Sequence, residues 1–86
     1  ARAAPWFEKA AELGLPSAMA NLGLLHLRGQ GVPQDYVLGY MWLNLAAAAG
    51  LAEAATIRDR VGAAMTPAEL AEARDLVGQR WQSSRR

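Results

Sequence analysis

Residues 42–54 read WLNLAAAAGLAEA, and residues 6–18 read WFEKAAELGLPSA. Aligning the two stretches places Trp on Trp, Ala-Ala on Ala-Ala and Gly-Leu on Gly-Leu, always at an offset of 36 residues. Alanines can agree by chance in so alanine-rich a chain, but chance is a poor source of both the Trp and the Gly-Leu agreements. A period of this length is typical of stacked repeats, so the sequence predicts a repeat architecture.

Local signals divide each period into two helices. Gly14 and Gly50 follow helical runs and suit the left-handed residue that ends a helix. Pro16 then stands in the first turn of the next helix, where a missing N–H is tolerated. Gly29 and Gly31 can take positive φ and predict a turn between two helices. The repeat unit is therefore predicted to be a helical hairpin.

The second and third helices form the complete unit. The second is predicted over about Pro16–Arg28, because its apolar residues recur at spacings of three, four and seven. Its inward residues are Met19, Leu22, Leu25 and His26. The third is predicted to run to about Ala49, with Asp35 in its first turn, where a carboxylate favours the helix dipole. It is apolar nearly all round, which predicts that other helices cover it on both sides.

Two further helices are predicted after the repeat. The fourth begins near Leu51. The fifth begins with Thr66 as N-cap and Pro67 at the first helical position, with Glu69 reaching back, and it runs to about Gln82. Their inward residues are Ile57, Val61 and Ala64 on the fourth helix, and Leu70, Ala73, Val77 and Trp81 on the fifth. The opposite face of the fifth helix is charged. A charged face of this kind is exposed to solvent and predicts a terminal capping helix.

Composition excludes several classes of protein. A chain of 86 residues forms one domain at most. The absence of Cys excludes disulfides and thiolate metal sites, and a net charge of +1 with both signs scattered predicts no binding of nucleic acid. The longest uncharged stretch, Tyr36–Ala52, has 17 residues and contains Gly39, Asn44 and Gly50. A membrane span needs about 18 or more apolar residues, so we predict a buried helix there and no membrane span.

A pattern around the turn resembles a known family. Residues 18–35 follow A-x-x-x-L-G-x-x-H-x-x-G-x-G-V-x-x-D, and residues 42–50 follow W-x-x-x-A-A-x-x-G. Both resemble the Sel-one-like repeat (SLR) family of tetratricopeptide-like α-solenoids. The resemblance implies an all-α fold, a short right-handed α-solenoid of antiparallel helix hairpins with about five helices. It also implies a scaffold that holds partner proteins or peptides, as bacterial members do, some of them in the envelope.

The resemblance divides the single domain, residues 1–86, into three parts. Residues 1–14 are the second helix of a preceding repeat, residues 15–50 a complete repeat, and residues 51–82 a degenerate C-terminal capping repeat. The family usually has Tyr where His26 stands and Ala where Gly39 stands, and in the third unit Arg58 and Asp59 replace the Leu-Gly pair. Because the chain starts in mid-repeat and not with Met, we expect the end piece of a longer array. Bacterial cytoplasm and periplasm or envelope both stay open.

Candidate catalytic and ligand-binding residues are few. His26, the one histidine, has no nucleophile or ligand spacing around it, so it is predicted to be a packing residue in the slot of an aromatic. Trp6, Trp42 and Trp81 are predicted to be core residues and not a stacking platform. No catalytic residue, metal ligand or cofactor is predicted, and an enzyme is not expected. Hydrolysis, linked to cysteine-rich relatives, is the least favoured function because this chain has no Cys.

A peptide-binding groove is the remaining candidate site. In tetratricopeptide-like arrays the first helix of each pair lines the concave surface. The groove side of the second helix is then Ser17, Ala20, Asn21, Leu24, Leu27 and Arg28. Three of these are apolar and three can form hydrogen bonds, a mixture that suits a peptide. The alternative is a purely structural cap of a longer array, or a self-association element acting through an exposed flank of the first helix.

Overall fold

The computed structural model describes the backbone of residues 3–84 and the side chains of residues 8–80. It contains five α-helices: α1 (Ala3–Glu12), α2 (Pro16–Arg28), α3 (Tyr36–Ala48), α4 (Ala52–Ala64) and α5 (Pro67–Ser84). There is no strand between residues 3 and 84. The prediction of an all-α repeat fold with five helices is confirmed.

The turns that end α1 and α3 have the same geometry, 36 residues apart. Gly14 has φ of 85° and Gly50 has φ of 108°, both in the region that favours glycine. The leucine after each glycine donates its N–H to the carbonyl five residues earlier, at 3.3 Å in the first turn and 3.1 Å in the second. This bond closes a Schellman motif and satisfies a carbonyl at the helix end. The period of the sequence is therefore also a period of the backbone.

The turn between α2 and α3 folds back on the end of α2. Asp35 donates its N–H to the carbonyl of His26 at 2.8 Å. The Gln34 side chain donates Nε2–H to the carbonyl of Leu27 at 2.9 Å. The carboxylate of Asp35 accepts from the N–H of Leu38 at 3.1 Å and is the N-cap of α3. Asp35 was predicted in the first turn of α3 and lies one residue before it, as the N-cap, because its extended backbone lets the side chain reach the exposed N–H groups.

Two glycines allow α2 and α3 to approach closely. A methyl group on Gly23 would lie 3.0 Å from the Gly39 carbonyl oxygen and 3.1 Å from Cγ of Leu43. One on Gly39 would lie 2.6 Å from Cδ2 of Leu27. All three distances are shorter than ordinary van der Waals contact. The absence of a Cβ at these two positions therefore lets the backbones of α2 and α3 come close together, with the side chains of Leu27 and Leu43 packed against them.

Helix α3 is the centre of the molecule. It packs against α2, α4 and α5, and α1 packs on α2. Its buried residues are Gly39, Tyr40, Met41, Trp42, Leu43 and Ala46. The prediction that α3 is covered on both sides is confirmed. Of the four inward residues predicted on α2, Leu22 and His26 are buried, and the other two are half-buried.

The closing pair of helices differs from the first hairpin. Helices α4 and α5 both pack mainly on α3, and their side chains meet beside Tyr40. Gly62 leaves room for this ring, since a methyl group there would lie 3.1 Å from Cε2 of Tyr40. Ala64 was wrongly predicted to face inward. It is exposed at the end of α4, and Met65 in the following link fills the place beside Tyr40.

The start of α5 has the predicted reciprocal cap. Thr66 donates its N–H to Oε1 of Glu69 at 2.8 Å, and Glu69 donates its N–H to Oγ1 of Thr66 at 3.1 Å. On the inner face of α5, Ala73 is buried and Leu70 and Val77 are half-buried. The side chain of Trp81, also predicted to face inward, lies outside the described residues. No helix in the described part of the chain is long and apolar enough to cross a membrane.

Candidate functional site

The six residues predicted to line a groove form two sets on α2. The first set follows one face of the helix at spacings of four, three and four residues, and we call it the α2 stripe. The α2 stripe consists of Ser17, Asn21, Leu24 and Arg28, of which Leu24 is half-buried and the others are exposed. Ala20 and Leu27 are half-buried and pack against the buried cluster of α3 and α4. These two residues therefore serve the core as well as the surface.

Helices α2 and α4 both pack on α3, and Ala20 and Leu27 of α2 contact a buried cluster that α3 and α4 form. Ile57 of α4 belongs to the same cluster as these two residues. The 36-residue register places Glu53 and Arg60 of α4 at the positions of Ser17 and Leu24, and both are exposed. The surface beside the α2 stripe thus carries further charged groups.

One arginine of α4 is held against α3. Arg58 donates Nη1–H to Oδ1 of Asn44 at 2.8 Å. Its Nη2 forms an ion pair with Oδ1 of Asp59 at 3.1 Å, and the Arg58 side chain is 25% exposed. Where the complete repeat has Leu22 and Gly23, the third unit thus has Arg58, which connects α4 to α3 by a polar contact, and Asp59, which pairs with Arg58 within α4.

His26 is buried, with 7% of its surface exposed. Its Nδ1 has no hydrogen-bond partner among the described residues. His26 lines a cavity of about 260 Å³ between α1, α2, α3 and α5. The burial of His26 agrees with a packing role, and its Nδ1 in addition leaves a polar atom open to a hydrogen bond, which a buried nitrogen normally makes. Within residues 8–80, no cluster of His, Asp and Glu is arranged to hold a metal ion.

Trp42 is a core residue, as predicted, and it also contacts a cation. It is 5% exposed. The guanidinium carbon of Arg80 lies 4.3 Å from the centre of its ring. Sequence inspection missed this contact because the two residues are far apart in the chain. The side chain of Trp6, the other tryptophan at this repeat position, lies outside the described residues.

A second cavity of about 260 Å³ lies on the other side of this pair. It is lined mostly by apolar side chains, among them Met19, Leu45 and Ala48. Glu12, Trp42 and Arg80 line both cavities, so the Arg80 side chain stands between them.

The first helix presents charges on its exposed surface. Glu8, Lys9 and Glu12 are exposed, and Ala10 and Ala11 are buried. The exposed apolar side chains follow the helix: Leu13 is 78% exposed and Leu15 is 49% exposed. Within residues 8–15, the exposed apolar surface that could mediate self-association therefore lies in the α1–α2 turn.

Comparison with protein families agrees with this geometry. The family model of the Sel1 repeat matches residues 1–15 and 16–51, which include α1, α2 and α3. The chain belongs to the Sel1 repeat family. Sel1 repeats typically act as protein–protein interaction modules, and Sel1 repeat proteins are generally non-catalytic scaffolds. No curated protein matches this Sel1 repeat protein.

Proposed function

We propose that this Sel1 repeat protein binds a peptide, or an extended segment of a partner protein, along the α2 stripe. The observation that carries the proposal is the half-buried Leu24 between exposed polar residues, on a helix whose other face is fixed in the core. Leu24 offers apolar contact. The Asn21 amide can both donate to and accept from a peptide backbone, and Arg28 can form a charge-assisted pair with a carboxylate.

The charges near the α2 stripe favour an acidic partner. Arg28 is exposed at one end, Arg60 is exposed at the position on α4 that corresponds to Leu24, and Glu53, at the position of Ser17, adds one negative charge, so these three charges are positive on balance. Two guanidinium groups on α2 and α4 attract carboxylates and accelerate association at low ionic strength. We therefore expect peptides that bind here to contain Asp or Glu, and their affinity to fall as salt is added.

The test begins with peptides selected from a displayed random library on the immobilised chain. Their affinities are then measured by fluorescence anisotropy with Asn21→Ala, Leu24→Ala and Arg28→Ala. Each change is expected to weaken binding by about fivefold or more, because truncation of a central interface residue typically costs over 1 kcal/mol. The matched control is Glu72→Ala, an exposed residue of α5, with unchanged affinity. Affinities unaffected by all three α2 changes would show that the groove assignment is wrong.

The second candidate function is that of a structural cap or self-association element, and the exposure of Leu13 and Leu15 favours it. Two exposed leucines in one turn form an apolar patch that another subunit or repeat could cover. The cap role of residues 51–82 belongs to the same proposal.

Sedimentation equilibrium distinguishes the two candidates. If the leucine patch mediates association, the average mass rises with concentration, and Leu13→Glu lowers it because a charge is costly in an apolar contact. Ala68→Glu, which adds the same charge at an exposed position of α5, is the control and leaves association unchanged. A strictly monomeric chain at high concentration would contradict self-association and leave the α2 proposal intact.

A further inference from the structure

The His26 cavity, as we call the space of about 260 Å³ lined by His26, has an apolar inner side and a charged outer side. Leu22 and Met41 line it and are 0% and 2% exposed. Glu8 and Glu12 also line it, and both are exposed. Its volume is several times the roughly 30 Å³ that one water occupies in the liquid. A bound group larger than water therefore fits.

The polar atoms around the cavity select the chemistry of that group. The Nδ1 of His26 is a buried atom without a partner among the described residues. In a neutral imidazole, a nitrogen that carries no proton accepts a hydrogen bond. With the imidazole proton on Nε2, the cavity offers an acceptor on its inner side and two carboxylates on its outer side, and each of these groups favours a bound hydrogen-bond donor.

The charges favour a cation over an anion. Two carboxylates and one guanidinium, that of Arg80, line the cavity, so its charged rim is negative on balance. The Trp42 ring beside the cavity already holds the guanidinium of Arg80 at 4.3 Å from its centre, so the attraction of a bound cation rests on the two carboxylates. A carboxylate or phosphate ligand would meet like charges instead, and residues 8–80 hold no cluster suited to a metal ion.

We propose that the His26 cavity binds a basic side chain, lysine or arginine, of a partner polypeptide. Its ammonium or guanidinium group donates to Nδ1 of His26 and lies near Glu8 and Glu12, and its aliphatic stem packs on Leu22 and Met41. The inference rests on the proposed role in binding polypeptides and adds a second point of contact. The cavity is lined by residues of α1, α2, α3 and α5, and none of them belongs to the α2 stripe. Each site can therefore be tested alone.

The test uses small probes and the full chain. Nα-acetyl-arginine amide, Nα-acetyl-lysine amide and the uncharged Nα-acetyl-citrulline amide are titrated while the imidazole ¹⁵N resonances are recorded by NMR. Since the chain has one histidine, every imidazole signal reports on His26. We expect the arginine and lysine probes to shift the Nδ1 resonance, and the citrulline probe to bind about tenfold more weakly, because it keeps the shape and loses the charge.

Variants locate the binding. Glu12→Gln, at an exposed position that tolerates change, is expected to weaken the arginine probe about threefold to tenfold. His26→Phe removes the acceptor and keeps the ring, and it is expected to weaken the probe similarly. Glu72→Gln, on the outer face of α5, is the matched control with unchanged affinity.

Three results would overturn the proposal. They are an unchanged His26 signal, equal affinity for arginine and citrulline, and tighter binding of putrescine than of the lysine probe, which would identify a free amine as the ligand. Selected peptides that still depend on Asn21 and Arg28 would then show that the α2 proposal stands while the cavity proposal fails. If the α2 substitutions leave peptide affinity unchanged while the arginine and lysine probes still bind at His26, the α2 proposal fails and the cavity proposal stands.

Discussion

Leu43→Ala is expected to lower the free energy of unfolding by about 3–4 kcal/mol. Leu43 is fully buried on α3 and packs with Ala46 and Ala54. Truncation removes its buried methyl groups from contact and leaves a cavity. The other fully buried members of the cluster, Ala46 and Ala54, are too small to refill that cavity, so it could close only if larger side chains at its edge, such as Leu27 and Ile57, moved inward. Urea unfolding followed by circular dichroism measures the loss.

Leu13→Ala is the matched control for this experiment. The substitution is the same, but Leu13 is 78% exposed. We therefore expect a change within about 0.5 kcal/mol, as for most surface positions. Because a small domain has a total stability of only about 5–15 kcal/mol, the Leu43 variant should unfold at a much lower urea concentration than the control. Equal midpoints for the two variants would contradict the central place of α3 in the core.

Gly23→Ala has the second-largest expected effect, a loss of about 1–2 kcal/mol. A helix interior normally gains up to about 1 kcal/mol when Gly becomes Ala. Here the added methyl group would lie 3.0 Å from the carbonyl oxygen of Gly39, an atom of the backbone that cannot rotate away. Helices α2 and α3 must then separate, and overpacking of this kind typically costs about 1–3 kcal/mol. The cost exceeds the gain.

Gly78→Ala tests the same substitution without the crowding. Gly78 lies within α5, and a methyl group there would meet nothing within 4 Å. We expect this variant to be more stable by about 0.5–1 kcal/mol, because only the helix propensity changes. The two glycine variants should thus shift the thermal midpoint in opposite directions. A rise in both would show that α2 and α3 can separate at their crossing without loss of stability.

Several features followed from residues close together in the chain. The 36-residue period predicted the repeated glycine turns. Helix α2 begins at Pro16 and ends before Gly29, as predicted. Thr66 and Glu69 form the predicted cap. These predictions succeed because caps, φ values and helix periodicity depend on neighbours within a few residues. The uncharged run of α3 likewise required burial, whatever covered it.

The candidate sites were only partly predictable. The sequence identified the α2 stripe by helical spacing, but it could not show that Ala20 and Leu27 also pack against the α3–α4 cluster. It marked His26 as a departure from the usual aromatic. That departure was the available signal for the His26 cavity. The burial of His26 agrees with the predicted packing role, and the tertiary structure adds the cavity and the Nδ1 without a partner among the described residues.

The repeat in the sequence by itself determined that this protein is a stack of helical hairpins and where most of its helices begin and end. Tertiary structure alone decided that α5 lies on α3, that Arg80 stands over Trp42 between two cavities, and that Glu8, Glu12 and His26 surround one of them. The physical reason is range. Backbone signals act over one helical turn, whereas a cavity or a cation–π contact exists only after distant helices have packed.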